Sequence, residues 1–275
     1  MATVGNIIKT KADGTCSTAS VKNLSLQVID EMNLLIPNVL VSFDDLDVSG
    51  NQATVNFFLQ PKAKEALRRA IRNKGKTLRL TSAYRTVVQQ HILFSWQGSC
   101  VPIAAKPGRS NHEDGLAIDT PNWEEWIPAL AAEGWEWLGD NDQVHFTYMG
   151  GGVRDDIGDI GVQAFQIFWN KYNPNDLIDV DGEYGPKTAA RLDQTPANGF
   201  ARVRLLRLIT PPMQGEDVRK VQQALVKEGL LEAQQVNGIY NEATKLAVEI
   251  FQKREGLGID GILGPQTRRA LKIPA

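Results

Sequence analysis

Apolar positions in the first half of the chain recur with two different spacings. Between residues 20 and 35 they follow a roughly helical period, which predicts an amphipathic helix. Around residue 78 apolar and polar positions alternate, which predicts a half-buried strand. Pro61 and Lys74-Gly75 bracket a further helical stretch, because proline is tolerated in the first helical turn and glycine ends helices. We therefore predict helices over 20–35, 62–73, 87–96 and 123–133, and strands over 55–59, 77–81, 116–119 and 144–148.

The order of these elements predicts a fold class. Helices and short strands are mixed along the chain, which indicates an α+β domain with a small mixed or antiparallel sheet. Three consecutive glycines, 150–152, follow the last predicted strand. Because glycine runs interrupt regular structure, we place the end of this domain near residue 150 and assign it residues 1–150.

A short motif occurs three times in the remainder of the chain. Each copy has Asp or Asn, then Gly, then Thr six positions after the glycine, and the copies begin at Asp181, Asn237 and Asp260. These dipeptides favour tight turns, and helical patterns flank the turns, so we predict small all-α modules. We assign a partial repeat to 151–196, a linker to 197–212 and a full module to 213–275.

Charge and apolar content narrow the function classes. The 275-residue chain is 42% apolar and 23% charged, so packed cores are expected rather than disorder. Its 30 basic and 32 acidic residues leave a net charge of −2, with no basic excess for nucleic acid or an anionic membrane. No apolar run approaches the roughly 18 residues that span a bilayer. We expect a monomer that binds neither nucleic acid nor membrane.

The N-terminus and the cysteines bear on where the protein works. The first ten residues lack a charged segment followed by a long apolar one, so no secretory signal peptide is visible. The two cysteines, Cys16 and Cys100, are either ordinary thiols or one disulfide. A disulfide would require an oxidising compartment. Two cysteines alone leave both alternatives open.

Two of the three histidines lie in stretches that suggest a metal site. His112 and Asp119 are separated by a turn of small residues, and His145 follows on a predicted neighbouring strand. A lone histidine is more often a surface or core residue than a ligand. Two imidazoles and one carboxylate, however, form the usual protein ligand set of a catalytic zinc site, which leaves one position for water. We therefore predict that His112, Asp119 and His145 bind one zinc ion.

Three further side chains are candidates for catalysis or substrate binding. A carboxylate at Asp142, three residues before His145, could move a proton beside a metal, or be a solvated turn residue. Arg85 could hold a substrate carboxylate or, as a catalytic residue, a developing oxyanion, or it could form a surface salt bridge. Ser110 could hydrogen-bond the substrate, or cap a loop. His91, on the predicted helix after Arg85, is interpreted as structural.

These residues together resemble a known family. The shared motifs are Ser110-x-His112-x-x-Gly115-x-Ala117-x-Asp119, an acidic residue three before a later histidine, and Ser82-x-Tyr84-Arg85. Roughly over 60–150, the chain resembles the zinc D-alanyl-D-alanine carboxypeptidases, which include vancomycin-resistance D,D-carboxypeptidases, and the related L-alanyl-D-glutamate endopeptidases of phage lysins. The resemblance implies zinc at His112, Asp119 and His145, Asp142 as the catalytic base, and substrate binding by Arg85 and Ser110.

One departure concerns the bond that is cleaved. The carboxypeptidases usually carry Glu where this chain has Asp142, whereas the endopeptidase branch often has Asp. The resemblance therefore implies hydrolysis of peptidoglycan stem peptides, with D-alanyl-D-alanine carboxypeptidase as the first expectation and L-alanyl-D-glutamate endopeptidase of a cell-wall lysin as the alternative. A non-catalytic wall-binding protein is a third possibility.

The C-terminal repeats resemble the peptidoglycan-binding domain. Residues 213–271 match a whole module, and residues 158–193 match only its second half. This resemblance implies that peptidoglycan is both substrate and anchor, and that the site of action is the bacterial cell envelope or the extracellular space.

Overall fold

The computed structural model describes residues 2–14, 16–200 and 205–273, which form two compact units, Met1–Phe200 and Ala201–Ala275. The helices of the first unit are α1 (Val4–Gly14), α2 (Lys22–Leu35), α3 (Pro61–Lys74), α4 (Val87–Ser95), α5 (Trp123–Ala131), α6 (Ile157–Tyr172) and α7 (Pro186–Gln194). Its strands are β1 (Val41–Ser42), β2 (Val48–Gly50), β3 (Phe58–Leu59), β4 (Leu78–Leu80), β5 (Ala117–Asp119), β6 (Trp135–Trp137) and β7 (His145–Tyr148). The second unit contains α8 (Glu216–Lys227), α9 (Glu242–Arg254) and α10 (Pro265–Ala270).

The strands form three small sheets. Strands β5, β7 and β6 form an antiparallel sheet in that order, β1 pairs antiparallel with β3, and β2 pairs in parallel with β4. An isolated bridge between Ser82 and Asp119 joins the segment after β4 to β5. Small sheets with surrounding helices in the first unit, and helices in the second, confirm the predicted fold class.

Two apolar clusters form the core of the first unit. One lies among α1, α2, α4, α6 and α7, and the other among α3, α5 and the antiparallel sheet. The consecutive residues Ala83 and Tyr84 belong to different clusters. The segment that leads to Arg85 therefore runs along the boundary between the two clusters.

Local sequence signals explain where several elements begin and end. Pro61 occupies the first turn of α3, and Gly75 ends this helix in a left-handed conformation with φ of 64°. The hydroxyl of Thr86 accepts a hydrogen bond from the backbone of Gln89, whose side chain accepts one from Thr86. This capping box starts α4 directly after Arg85. The predicted strand over 55–59 is correct only at its end, in β3.

The N-terminal segment, for which no element was predicted, forms a helix over Val4–Gly14. Cys16 and Cys100 form a disulfide with a Cα–Cα distance of 5.6 Å. Of the two alternatives that the sequence leaves open, the structure therefore has the disulfide. It joins the chain near the end of α1 to the segment after α4.

Residues 157–194 pack within the first unit. Helix α6 lies on α2, and α7 lies on α1. The predicted division after residue 150 therefore does not coincide with the boundary between the compact units, and the assignment of 1–150 and 151–196 to separate domains stays a prediction. The predicted linker 197–212 includes 201–204, which lie outside the described residues. Leu206 is buried in the core of the second unit.

A buried glutamine explains the threefold sequence motif. Gln166, Gln222 and Gln252 each donate from Nε2 to the Asp or Asn side chain of the motif, to a backbone carbonyl two positions later and to the motif threonine, over 2.7–3.2 Å. Each Oε1 accepts the backbone N–H of the motif glycine. We call this arrangement the glutamine clamp. The clamp satisfies the polar groups of the buried turn, which is why Asp/Asn, Gly and Thr recur at fixed spacing.

Within the described ranges, no helix has the length and apolar character required to cross a bilayer.

Candidate metal and catalytic site

Three predicted ligands converge at one end of the antiparallel sheet. The register of β5 and β7 sets Asp119 opposite His145, and His112 lies on the turn before β5. Potential ligand atoms of the three residues all lie within 4.8 Å of one another, and the three side chains are buried. A group of this kind could hold a metal ion.

The turn between His112 and β5 requires a glycine. Gly115 has a φ of 65°, and a Cβ atom there would lie 2.6 Å from Leu40 Cδ2. The Gly115 carbonyl also accepts a hydrogen bond from the Gln60 backbone. The motif glycine therefore allows both the turn and its close packing.

The donor set fits a cation. His112 Nδ1 donates to the Ala83 carbonyl at 2.8 Å, which leaves the lone pair of Nε2 facing Asp119 Oδ1 at 3.3 Å. His145 Nδ1 lies 3.1 Å from the same Oδ1 atom. In a neutral imidazole, His112 Nε2 has no proton for that oxygen, so two acceptors face each other. A metal ion between them would satisfy both atoms.

Electrostatics favour a neutral His112 and an ionised Asp119. Burial and the positive charge of Arg85 lower the pKa of His112. Burial acts to raise the pKa of Asp119, but the hydrogen bond from His145 and the positive charge of Arg85 act against it, and this pKa lies well below its usual range. Neutral imidazole and carboxylate are the protonation states that bind metal.

Arg85 contacts the candidate ligand directly. Its Nη2 donates to Asp119 Oδ2 at 3.1 Å, and its Nε donates to Ser82 Oγ at 3.1 Å. The side chain is 25% exposed, so the ion pair is largely buried rather than on the surface. Asp119 thus uses Oδ2 for the guanidinium and Oδ1 for the two imidazoles.

Ser110 and Glu113 organise the loop that carries His112. The Ser110 hydroxyl accepts from the His112 backbone at 3.3 Å, as expected of a capping serine. Glu113, which the sequence analysis missed, accepts from the backbone of Gly108 at 2.9 Å and of Ser110 at 3.3 Å. Burial raises the pKa of Glu113 to about 8, against the lowering effect of these backbone bonds.

Asp142 lies at the exposed end of a 3-10 turn, Gly139–Asn141. Its negative charge acts to raise the pKa of Arg85, although burial lowers this pKa overall. The Asp142 carbonyl accepts from the His145 backbone at 3.1 Å. The structure therefore brings Asp142 near the cluster, and its carboxylate is accessible to solvent.

An indole group supports the loop that carries Asp142. Trp137 donates from Nε1 to the Gln143 carbonyl at 2.7 Å. Its ring stacks on Trp123 at a centroid distance of 4.9 Å. These contacts had no signal in the sequence, because β6 depends on its pairing with the distant strand β7.

A threonine and an asparagine complete the surroundings of His145. Thr147 Oγ1 lies 2.9 Å from His145 Nε2 and accepts from Asn111 Nδ2 at 3.2 Å. The two-residue period of a strand sets Thr147 on the same face as His145. That spacing was the available sequence signal for this contact.

His91 lies outside this cluster. Its Nδ1 is 2.6 Å from the Tyr184 hydroxyl, and its Nε2 is 3.0 Å from Asp193. These contacts link α4 to the segment that includes α7, in keeping with the structural role predicted for this histidine.

Comparison with known proteins places the cluster in a recognised segment. Residues 59–148 match the family model of D-alanyl-D-alanine carboxypeptidase, and residues 214–271 match that of a peptidoglycan binding domain. Both resemblances inferred from the motifs are thereby confirmed for these segments.

A similar protein of Bacillus licheniformis is named "probable N-acetylmuramoyl-L-alanine amidase". It is 31% identical over 103 residues, which cover 33% of this chain and 29% of that protein. The chain therefore matches less than a third of the length of this relative.

Proposed function

We propose that the protein is a zinc-dependent hydrolase of peptide bonds in peptidoglycan stem peptides, and foremost a D-alanyl-D-alanine carboxypeptidase. The observation that carries this proposal is the convergence of His112, Asp119 and His145 within 4.8 Å, inside the segment that matches the carboxypeptidase family. Two imidazoles, one carboxylate and an open position are typical of catalytic rather than structural zinc sites. We expect one zinc ion per chain.

Zinc at such a site lowers the pKa of water and polarises the scissile carbonyl. The residues of the chain supply the remaining functions. The Asp142 carboxylate accepts a proton from the attacking water and returns it to the leaving amine nitrogen. The exposed edge of Arg85 holds the terminal carboxylate of the substrate, and Ser110 donates a hydrogen bond to its backbone.

The shorter side chain at position 142 favours a second candidate function. Asp142 stands where carboxypeptidases usually have Glu, and the endopeptidase branch often has Asp. Cleavage between L-Ala and D-Glu by a cell-wall lysin is therefore the alternative. Both reactions use the same ligands and the same base.

The second unit would hold the enzyme on its substrate. It matches a peptidoglycan binding domain, so we propose wall attachment and action at the cell envelope or outside the cell. Tethering raises the effective concentration of stem peptides without changing the chemistry.

Mass spectrometry of digested sacculi tests both the activity and the bond. Release of D-Ala from pentapeptide stems is expected for the carboxypeptidase, and new D-Glu amino termini for the endopeptidase. His145→Ala and Asp142→Ala should each abolish release, and His145→Ala should also lose zinc. Asp140→Asn, in the same exposed turn, is the matched control and should remain active.

Wall binding without any product would favour a non-catalytic protein. Activity that survives chelation, His145→Ala and Asp142→Ala would contradict the proposed function altogether.

A further inference from the structure

We propose that Thr147, held by Asn111, is a positioning residue that lets His145 change tautomer when a metal ion is loaded. This inference rests on the proposed function, since it takes His145 as a ligand. It concerns a residue pair outside the ligand set and outside the predicted substrate contacts.

Thr147 Oγ1 contacts both Asn111 and His145. Asn111 Nδ2 is a donor only, so it donates to Thr147 Oγ1 across 3.2 Å. His145 Nε2 lies 2.9 Å from the same oxygen, and this contact can run in either direction. A hydroxyl has one proton and two lone pairs, so it can accept from Asn111 and still serve the imidazole either way.

The other imidazole nitrogen of His145 faces Asp119. Nδ1 lies 3.1 Å from Asp119 Oδ1, the oxygen that His112 Nε2 also faces. Without metal, a proton on Nδ1 donates to Asp119, and Nε2 then accepts from the Thr147 hydroxyl. If His145 bound the metal through Nδ1, the imidazole proton would lie on Nε2 and would be donated to Thr147.

The two states differ in tautomer but not in the charge of the imidazole. A backbone carbonyl, such as the one that His112 Nδ1 meets at Ala83, accepts only and therefore fixes one tautomer. The hydroxyl of Thr147 can donate to an unprotonated Nε2 or accept from a protonated one, so it is compatible with both tautomers of His145. The partner of His112 thus permits a single tautomer, whereas the partner of His145 permits both.

Asn111 connects Thr147 to the loop that carries His112. It directly precedes His112, and Thr147 is opposite Ala117 in the sheet. The Asn111 bond holds Oγ1 in place in both states, because it donates in each. We expect its loss to weaken the positioning less than the loss of the hydroxyl.

Zinc affinity and imidazole NMR together test the inference. Thr147→Val keeps the β-branched shape but removes the hydroxyl, and Thr147→Ser restores it. Zinc affinity, measured by chelator competition, should fall about 10- to 100-fold in Thr147→Val, as for other partners of ligand histidines. Affinity should stay close to wild type in Thr147→Ser, and Asn111→Ala should be intermediate. Thermal unfolding checks that each variant is folded.

Nitrogen chemical shifts of His145 report the tautomer directly. We expect the Nδ1–H form in metal-free wild type and the Nε2–H form after zinc is added. Equal zinc affinity of wild type and Thr147→Val, or the same tautomer with and without zinc, would overturn this inference alone. Failure of the wild type to bind zinc would instead contradict the proposed function, and the inference with it.

Discussion

At the scale of single residues, Asp119 organises the candidate site by dividing its two oxygens. Oδ2 accepts from Arg85 at 3.1 Å, and Oδ1 lies 3.3 Å from His112 and 3.1 Å from His145. The guanidinium therefore fixes the carboxylate through the oxygen that does not face the imidazoles. Such preorganisation reduces the rearrangement that metal binding would require.

His91 provides a pH-dependent prediction at this scale. Burial lowers its pKa, although Asp193 acts to raise it, so the unfolded chain takes up a proton more readily than the folded chain. The free energy of unfolding should therefore fall as pH drops below the ordinary histidine pKa of about 6.5. Urea unfolding of wild type and His91→Gln at pH 7.5 and pH 5 measures this effect.

The variant removes the titrating group but keeps a side chain that can meet Tyr184. We expect a smaller loss of stability between the two pH values in His91→Gln than in wild type. An equal loss in both proteins would show that His91 does not contribute.

At the scale of elements, the short strand β6 supports the loop that carries Asp142. Its residue Trp137 donates to the Gln143 carbonyl at 2.7 Å and stacks on Trp123. Trp137→Phe removes the donor but keeps an aromatic ring. Because a single hydrogen bond contributes about 1 kcal/mol, we expect a small loss of stability.

Activity should fall more clearly than stability in Trp137→Phe, since the Asp142 loop loses a fixed contact. Rates of product release from sacculi, compared with thermal unfolding, separate the two effects. The control is Trp123→Phe, which makes the ring stacked on Trp137 smaller but keeps the hydrogen bond from Trp137 to the Gln143 carbonyl. A Trp137→Phe enzyme as active as wild type would contradict this role of the indole.

Elements with local signals were predictable, and those that depend on distant contacts were not. Pro61 and Gly75 mark both ends of α3, and alternation around residue 78 marks β4. Strand β6 was missed although it is as long as β4 and β5, which were predicted, and it exists through pairing with β7. That His112, Asp119 and His145 come together was predictable from residue types and motif spacing. The partners of these side chains were not, because Thr147 has no distinctive chemistry until the register sets it beside His145.

At the scale of the whole molecule, the first compact unit extends to residue 200. Helix α6 packs on an apolar face of α2, within the cluster that also contains the fully buried Leu24 and Val28 of α2. A chain that ends at residue 152 would leave this face exposed to water, whereas one that ends at 200 keeps it covered. We expect the longer chain to unfold cooperatively and the shorter chain to aggregate or lose its tertiary structure.

Circular dichroism, thermal unfolding and size-exclusion chromatography of the two chains decide this. A folded, monomeric chain 1–152 would support the predicted domain end at residue 150 and would contradict the packing argument.

The disulfide gives a second prediction at this scale. Cys16 and Cys100 are 84 residues apart in sequence. A cross-link over a loop of this size is expected to stabilise the folded state by about 4 to 5 kcal/mol if it acts through the entropy of the unfolded chain. Urea unfolding with and without reductant measures it, with the double variant Cys16→Ser/Cys100→Ser as the control. Unchanged stability after complete reduction would contradict the prediction.

The glutamine clamp has a consequence for how such modules can lengthen. Helix α9 supplies Thr244 to the clamp of Gln222 and supplies Gln252 to the next clamp. One helix thus contributes the threonine of one clamp and the glutamine of the next. A module of this kind can therefore be extended by adding one loop and one helix at a time, without duplication of the whole domain. A single clamp, such as the one between α6 and α7, therefore satisfies its buried polar groups without a second copy.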